Sequence, residues 1–166
     1  MTKRIYLCAN AWISFIKKEH GRYEAVEQII LAAKKGECEI WTSTISLAEV
    51  YKSHAEGQEA TESDDKIDSL FEQGYVQMAS ADYLVTKEAR GLLREHRPPL
   101  KKPFDAIHLA TALRHNCEIF HTFDRDDLLR LDGQVYRRDG EKLAIKKPKL
   151  DSGPLFDEEQ KTGTDN

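Results

Sequence analysis

The sequence lacks most of the marks of the familiar enzyme classes. It holds no glycine-rich loop of the G-x-G-x-x-G or Walker type, no G-x-S-x-G elbow and no C-x-x-C pair. Dinucleotide-binding, P-loop, serine-hydrolase and dithiol chemistry therefore find no support. Cysteine is scarce: Cys8, Cys38 and Cys117 are too few and too odd in number for a disulfide framework, and they read as reduced thiols. No apolar run approaches the ~18 residues of a membrane span, and no basic start leads into an uninterrupted apolar segment. A soluble, cytoplasmic protein with no membrane attachment is expected. Positive charge is also not in excess. The net charge of −4 argues against general affinity for nucleic acid and leaves only local patches open.

What is present is one domain's length of chain, 166 residues, 40% apolar and 33% charged. Short apolar runs alternate with helical spacing. Strands are expected at 4–8 (RIYLC), 38–42, 75–79 (YVQMA), 118–122 (EIFHT) and near 142–145. Helices are expected at 10–19 with Asn10 as N-cap, at 22–35 stopped by Gly36, and from about Ser46 to His54. Further helices are expected at 82–96, at 104–115 (FDAIHLATALRH) and, in brief, at 126–131. The acidic stretch 56–65 reads as a solvated turn or helix start before KIDSLFEQ. A folded unit over 1–146 and a polar, mobile tail over 147–166 are expected, since the tail has little to bury. Alternating strands and helices imply a mostly parallel sheet between helical layers, an α/β architecture whose ligand site lies outside the carboxyl ends of the strands.

That rule gathers the chemistry at one edge. Cys8 ends the first strand, Glu49 lies about a turn into the helix after the second, Asp105 opens the helix before the fourth, and Asp124 follows the fourth. Carboxylates brought together repel one another unless a cation sits among them. Hard oxygen ligands in a shallow site suit Mg²⁺ or Mn²⁺, which activates water and stabilises charge on a phosphodiester. Each acid also has an ordinary reading: Glu49 as a solvated helix residue, Asp105 as a helix-start acid, Asp124 as a cap. Spacing alone leaves these alternatives open.

The segments IYLCANAWISF, STISLAEVY, PFDAIHLATALRHNC and IFHTFDRDDL resemble, in order and rough spacing, the PIN-domain proteins. They are most similar to the VapC-like toxins of type II toxin–antitoxin pairs, over about residues 4–145. The resemblance implies a three-layer α/β/α fold and a Mg²⁺- or Mn²⁺-dependent endoribonuclease. Glu49, Asp105 and Asp124 match the family's catalytic and metal-holding acids, and Asp126 matches an often acidic neighbour. Thr122 and Asn10 match residues that support the pocket. Cys8 stands where the family has its first aspartate. A thiol among carboxylates stays neutral and is a soft ligand where Mg²⁺ wants a hard one, so reduced or lost activity is expected. Cys8 as a nucleophile would need a nearby base, and His108 on its apolar helix face reads as a core residue.

Arg94, Arg97, Lys101 and Lys102 flank the loop that leads to Asp105 and could grip RNA phosphates. Arg137, Arg138, Lys142, Lys146, Lys147 and Lys149 form a second basic group that reads equally well as a solubilising surface. The resemblance further implies a cognate antitoxin as partner and a homodimer. An apolar groove could be offered by Trp12, Ile13, Phe15 and Ile16 with Ile45, Leu47 and Val50, with Trp12 expected to be partly exposed. The competing reading is a PIN module that binds RNA or an antitoxin without cleavage. Cys8 favours that reading, and the intact trio of Glu49, Asp105 and Asp124 favours the nuclease.

Overall fold

The computed structural model describes residues 1–51 and 60–149, with backbone only over 60–63. In chain order the elements are β1 (Lys3–Leu7), α1 (Ala9–Ile16), α2 (Tyr23–Lys34), β2 (Cys38–Ser43), α3 (Ser46–Glu49) and α4 (Ala60–Phe71). They continue with β3 (Val76–Ala79), α5 (Tyr83–Glu95), α6 (Pro103–Arg114), β4 (Ile119–His121) and β5 (Ala144–Lys146). The five strands form one sheet in the order β3-β2-β1-β4-β5, and every pairing is parallel. Tyr6 of β1 is flanked by Trp41 on β2 and Phe120 on β4. The chain first winds outward from β1 to β3 and then crosses to β4 on the other side of β1. That reversal places a crevice at the carboxyl ends of β1 and β4.

Period-two alternation sorts β1 between two cores. Ile5 and Leu7 pack with Val26, Ile29 and Ile30 of α2 and Phe71 of α4. Tyr6 and Cys8 face the opposite way, toward Leu92 of α5 and Ala106, Leu109 and Leu113 of α6. The result is three layers, helix on sheet on helix. α6 is apolar on nearly all sides and is correspondingly buried from Ala106 to Leu113, apart from the half-exposed Ile107. Among the described residues no helix is long and apolar enough to cross a membrane.

Gly36 closes α2 as the sequence suggests. At φ +77° its N–H reaches the Ala33 carbonyl while the Glu37 N–H reaches Ala32, the paired bonds that satisfy a helix end. Other boundaries differ from expectation. α1 stops at Ile16, because Lys18 adopts φ +52°. The N-cap of α1 is Cys8, with extended backbone, and not Asn10. α3 ends at Glu49, since Val50 turns extended (φ −90°, ψ 99°); the remainder of the helix expected to reach His54 lies outside the described residues beyond Tyr51. The helix expected over 126–131 is a turn ending in one 3₁₀ stretch, Leu129–Leu131. Trp12 is fully buried rather than partly exposed. Its ring meets Phe71 edge-on at 5.0 Å and its Nε1–H donates to Thr42 Oγ1. The polar tip finds a partner inside, so the whole indole can leave water. From Leu150 onward, most of the expected tail lies outside the described residues.

Candidate functional site

The elbow after β1 is tied to the end of β4 by one side chain. Asn10 Nδ2 donates to Thr122 Oγ1 at 2.8 Å, and Asn10 Oδ1 accepts the Phe123 N–H at 3.0 Å. Thr122 Oγ1 in turn accepts the Asp124 N–H at 3.1 Å. Asn10 and Thr122 thus help fix where Asp124 stands. Asn10→Ala removes two bonds at once and leaves a buried hydroxyl and an amide short of partners. The expected loss is ~1–3 kcal/mol, read as a lower melting temperature at roughly 2–4 °C per kcal/mol for a chain this size.

Asp124 also organises the turn behind it. Its Oδ1 accepts the N–H groups of both Asp126 and Asp127 at 3.1 Å, as a capping carboxylate does. Periodicity then sorts the two acids. Asp127 shares a face with Leu131 and is drawn inward with it, both being buried, whereas Asp126 and Arg130 face solvent. The acid brought into the site is therefore Asp127, and Asp126 stays outside it. TFDRDDLLRL contained this signal, since Asp127 stands four residues before the buried Leu131.

Asp105, Asp124 and Asp127 present carboxylate oxygens that all lie within 4.8 Å of one another. Lys102, at the N-cap of α6, lays its ammonium among them at 3.8 Å from Asp105, 3.6 Å from Asp124 and 3.5 Å from Asp127. Asp105 Oδ2 is buried and makes no hydrogen bond. Burial raises the Asp105 carboxyl from its ordinary 3.8 to about 6, and Asp124 and Asp127 push the same way while Lys102 and His108 oppose them. The Lys102 ammonium is raised by the three acids, Asp105 foremost. A buried, unbonded carboxylate oxygen beside two further carboxylates is a donor set that fits a hard divalent cation.

Glu49 is held apart from that trio but lines the same cleft of about 290 Å³, with Lys102, Pro103, Phe104 and Asp105. Its Oε2 accepts from His108 Nε2 at 2.6 Å, and His108 Nδ1 lies 2.7 Å from the Tyr6 hydroxyl. A carboxylate only accepts, so Nε2 carries the proton, and in the neutral ring Nδ1 accepts from the tyrosine. His108, 0% exposed, is both a core residue and the orienting partner of Glu49. Removing the hydroxyl with Tyr6→Phe leaves Nδ1 buried without a donor. That change is expected to cost ~1–2 kcal/mol in urea unfolding.

Cys8 is 2% exposed and points to the α6 side of the sheet. Burial first, then the charges of Asp105 and Glu49, push its thiol well above the ordinary range. It stays neutral, and both ring nitrogens of His108 are already engaged by Tyr6 and Glu49, so His108 offers it no free base. The proposed RNA contacts Arg94, Arg97 and Lys101 are exposed on the approach to α6. In the second basic group Arg137, its side chain 12% exposed, pairs with Asp139, and the half-exposed Arg138 pairs with Glu88.

A five-stranded parallel sheet between helical layers is also the fold of a known family. The PIN domain family model matches residues 5–134, and the chain belongs to that family. Among solved structures its fold is similar to VapC20 of Mycobacterium tuberculosis, a sarcin–ricin loop cleaving toxin. That pair shares 14% identity and a TM-score of 0.59, over 74% of this chain and 91% of that one. It is similar too to VapBC2 of Rickettsia felis bound to a DNA fragment from its promoter, at 16% identity and TM-score 0.58, over 87% of this chain and 99% of that one. DNA-bound VapBC of Salmonella typhimurium gives 21% and 0.53, over 87% and 98%. The fold is thus that of the VapC-like toxins. Among curated protein sequences none matches this one.

Proposed function

We propose that the chain is a metal-dependent endoribonuclease of the toxin class, attenuated at position 8. The observation that carries this is the trio Asp105, Asp124 and Asp127 at the carboxyl edge of β1 and β4, with one buried oxygen left unbonded. These three would hold Mg²⁺ or Mn²⁺, which when bound supplies a polarised water and charge stabilisation for phosphodiester hydrolysis. Glu49, fixed by His108, would accept the proton of the attacking water from across the same cleft. Arg94, Arg97 and Lys101 would hold the flanking phosphates. The neighbours that are toxin–antitoxin complexes support a cognate antitoxin covering the cleft and, through it, a cytoplasmic role; a homodimer belongs to the same reading.

The second reading, a PIN module that binds RNA or an antitoxin without cutting, is favoured by one feature, the neutral buried thiol of Cys8 in the crevice. The experiment incubates the chain with a pool of structured RNAs in Mg²⁺, in Mn²⁺ and in EDTA, beside Cys8→Asp and Asp124→Asn forms. Cleavage that EDTA stops and that Asp124→Asn abolishes supports the nuclease. Cleavage by none of them, with RNA retained in a filter-binding assay, would transfer the conclusion to the binding module.

A further inference from the structure

The metal-dependent reading leaves Lys102 unexplained. Its ammonium lies among the three carboxylates, in the space a cation would use, at 3.5–3.8 Å from each of them. We propose that Lys102 is a tethered cation that competes with the divalent metal for the Asp105–Asp124–Asp127 cluster, so that metal enters as the lysine leaves. This inference rests on the metal-binding reading above and adds a gate to it.

Three features support the competition. First, a divalent ion held by all three carboxylates would need the place that the ammonium fills, and the repulsion between two cations a few ångströms apart opposes their sharing it. Second, the pairs are loose. Distances of 3.5–3.8 Å exceed the ~2.7–2.9 Å of a charge-assisted hydrogen bond, so the ammonium is held mainly by summed charge, with one long hydrogen bond to Asp127. Third, the side chain is free to swing. Lys102 is 64% exposed, and its backbone is fixed independently by the helix it caps, where the Lys102 carbonyl accepts the Ala106 N–H. Leaving the cluster thus requires rotation about the lysine stem and no movement of α6.

The arrangement also says what draws the lysine away. The cleft beyond the cluster is walled by Glu49, Pro103, Phe104 and Asp105. A lysine that swings out stays tethered at its rim, where a substrate phosphate would receive the ammonium. Metal uptake and phosphate binding then favour each other, since the metal takes the place the ammonium leaves and the phosphate pairs with the ammonium that has left. A resident ammonium would also offset the mutual repulsion of the three acids whenever no metal is bound.

The test is metal affinity in the absence of RNA, measured by electron paramagnetic resonance of free Mn²⁺ during titration of the full chain. Lys102→Met removes the charge and keeps the stem; Lys102→Gln is a second, polar replacement for use if the methionine form folds poorly. Lys87→Met, on the exposed face of α5, is the control. Both Lys102 forms are expected to bind Mn²⁺ at least ~10-fold more tightly than the parent, with Lys87→Met unchanged. Added dimethyl phosphate, a phosphodiester monoanion that binds Mn²⁺ only weakly by itself, should tighten Mn²⁺ binding in the parent and have less effect in the Lys102 forms. Equal or weaker Mn²⁺ binding by the Lys102 forms, with the parent binding measurably, overturns the competition while the metal site stands. Absence of Mn²⁺ binding in the parent, in the Lys102 forms and in Cys8→Asp alike overturns the metal reading, and the gate falls with it.

Discussion

Replacing Cys8 with aspartate is expected to raise Mn²⁺ affinity by ~10–100-fold and to bring up RNA cleavage that EDTA abolishes. The thiol is buried on the α6 side of β1, and the charges of Asp105 and Glu49 both reach it. An acid there would add a hard ligand within reach of Asp105. The same geometry predicts a cost. Without metal, a fourth carboxylate in so buried a place destabilises the fold, by ~1–3 kcal/mol. Saturating Mn²⁺ should return about 2.7 kcal/mol at a hundredfold excess over its dissociation constant. The signature is therefore a variant that melts lower than the parent in EDTA and gains more from Mn²⁺. A Cys8→Asp form with parental metal affinity and parental melting in both buffers would show that position 8 takes no part in the centre.

Asp105→Asn should make the chain more stable near neutrality while removing its response to metal. Asp105 is raised from 3.8 to about 6, chiefly by burial and then by Asp124 and Asp127. A carboxyl raised on folding binds its proton more tightly in the native state than in the unfolded one. Its contribution is therefore complete in acid, declines as pH climbs from about 4 to about 6, and is flat above that. The ceiling of that decline is ~3 kcal/mol, and partial solvent access and the nearby ammonium reduce it. Asparagine keeps the shape without the charge, so the slope between those pH values should flatten. Near pH 7 the variant should gain ~1–2 kcal/mol in urea unfolding, and Mn²⁺ should no longer raise its melting temperature. A slope that survives in Asp105→Asn would place the titrating group elsewhere in the cluster.

Much of this was legible from residue order alone. Alternating short apolar runs and helical periods set the parallel sheet between helices, because each pattern buries a face in only one secondary structure. Cys8, Asp105 and Asp124 could be sent to one edge because each borders a strand or helix whose place in such a sheet is determined. Gly36 marked its helix end through the positive φ that other residues resist.

What the tertiary structure alone decided concerns pairs far apart in the chain. Asn10 read locally as a cap, yet it spans to Thr122 and Phe123, since β4 lies beside β1. Trp12 read as a partly exposed aromatic, but Phe71 and Thr42 enclose it. His108 read as core and nothing more. Its two hydrogen bonds run to Tyr6, 102 positions away, and to Glu49, 59 positions away. Lys102 read as a surface phosphate contact, and only the juxtaposition of α6 with the turn after β4 turns it toward three acids. Periodicity reports which side of an element faces inward. It cannot report what is met there, because charge and hydrogen bonding act through space between segments that the sequence keeps apart.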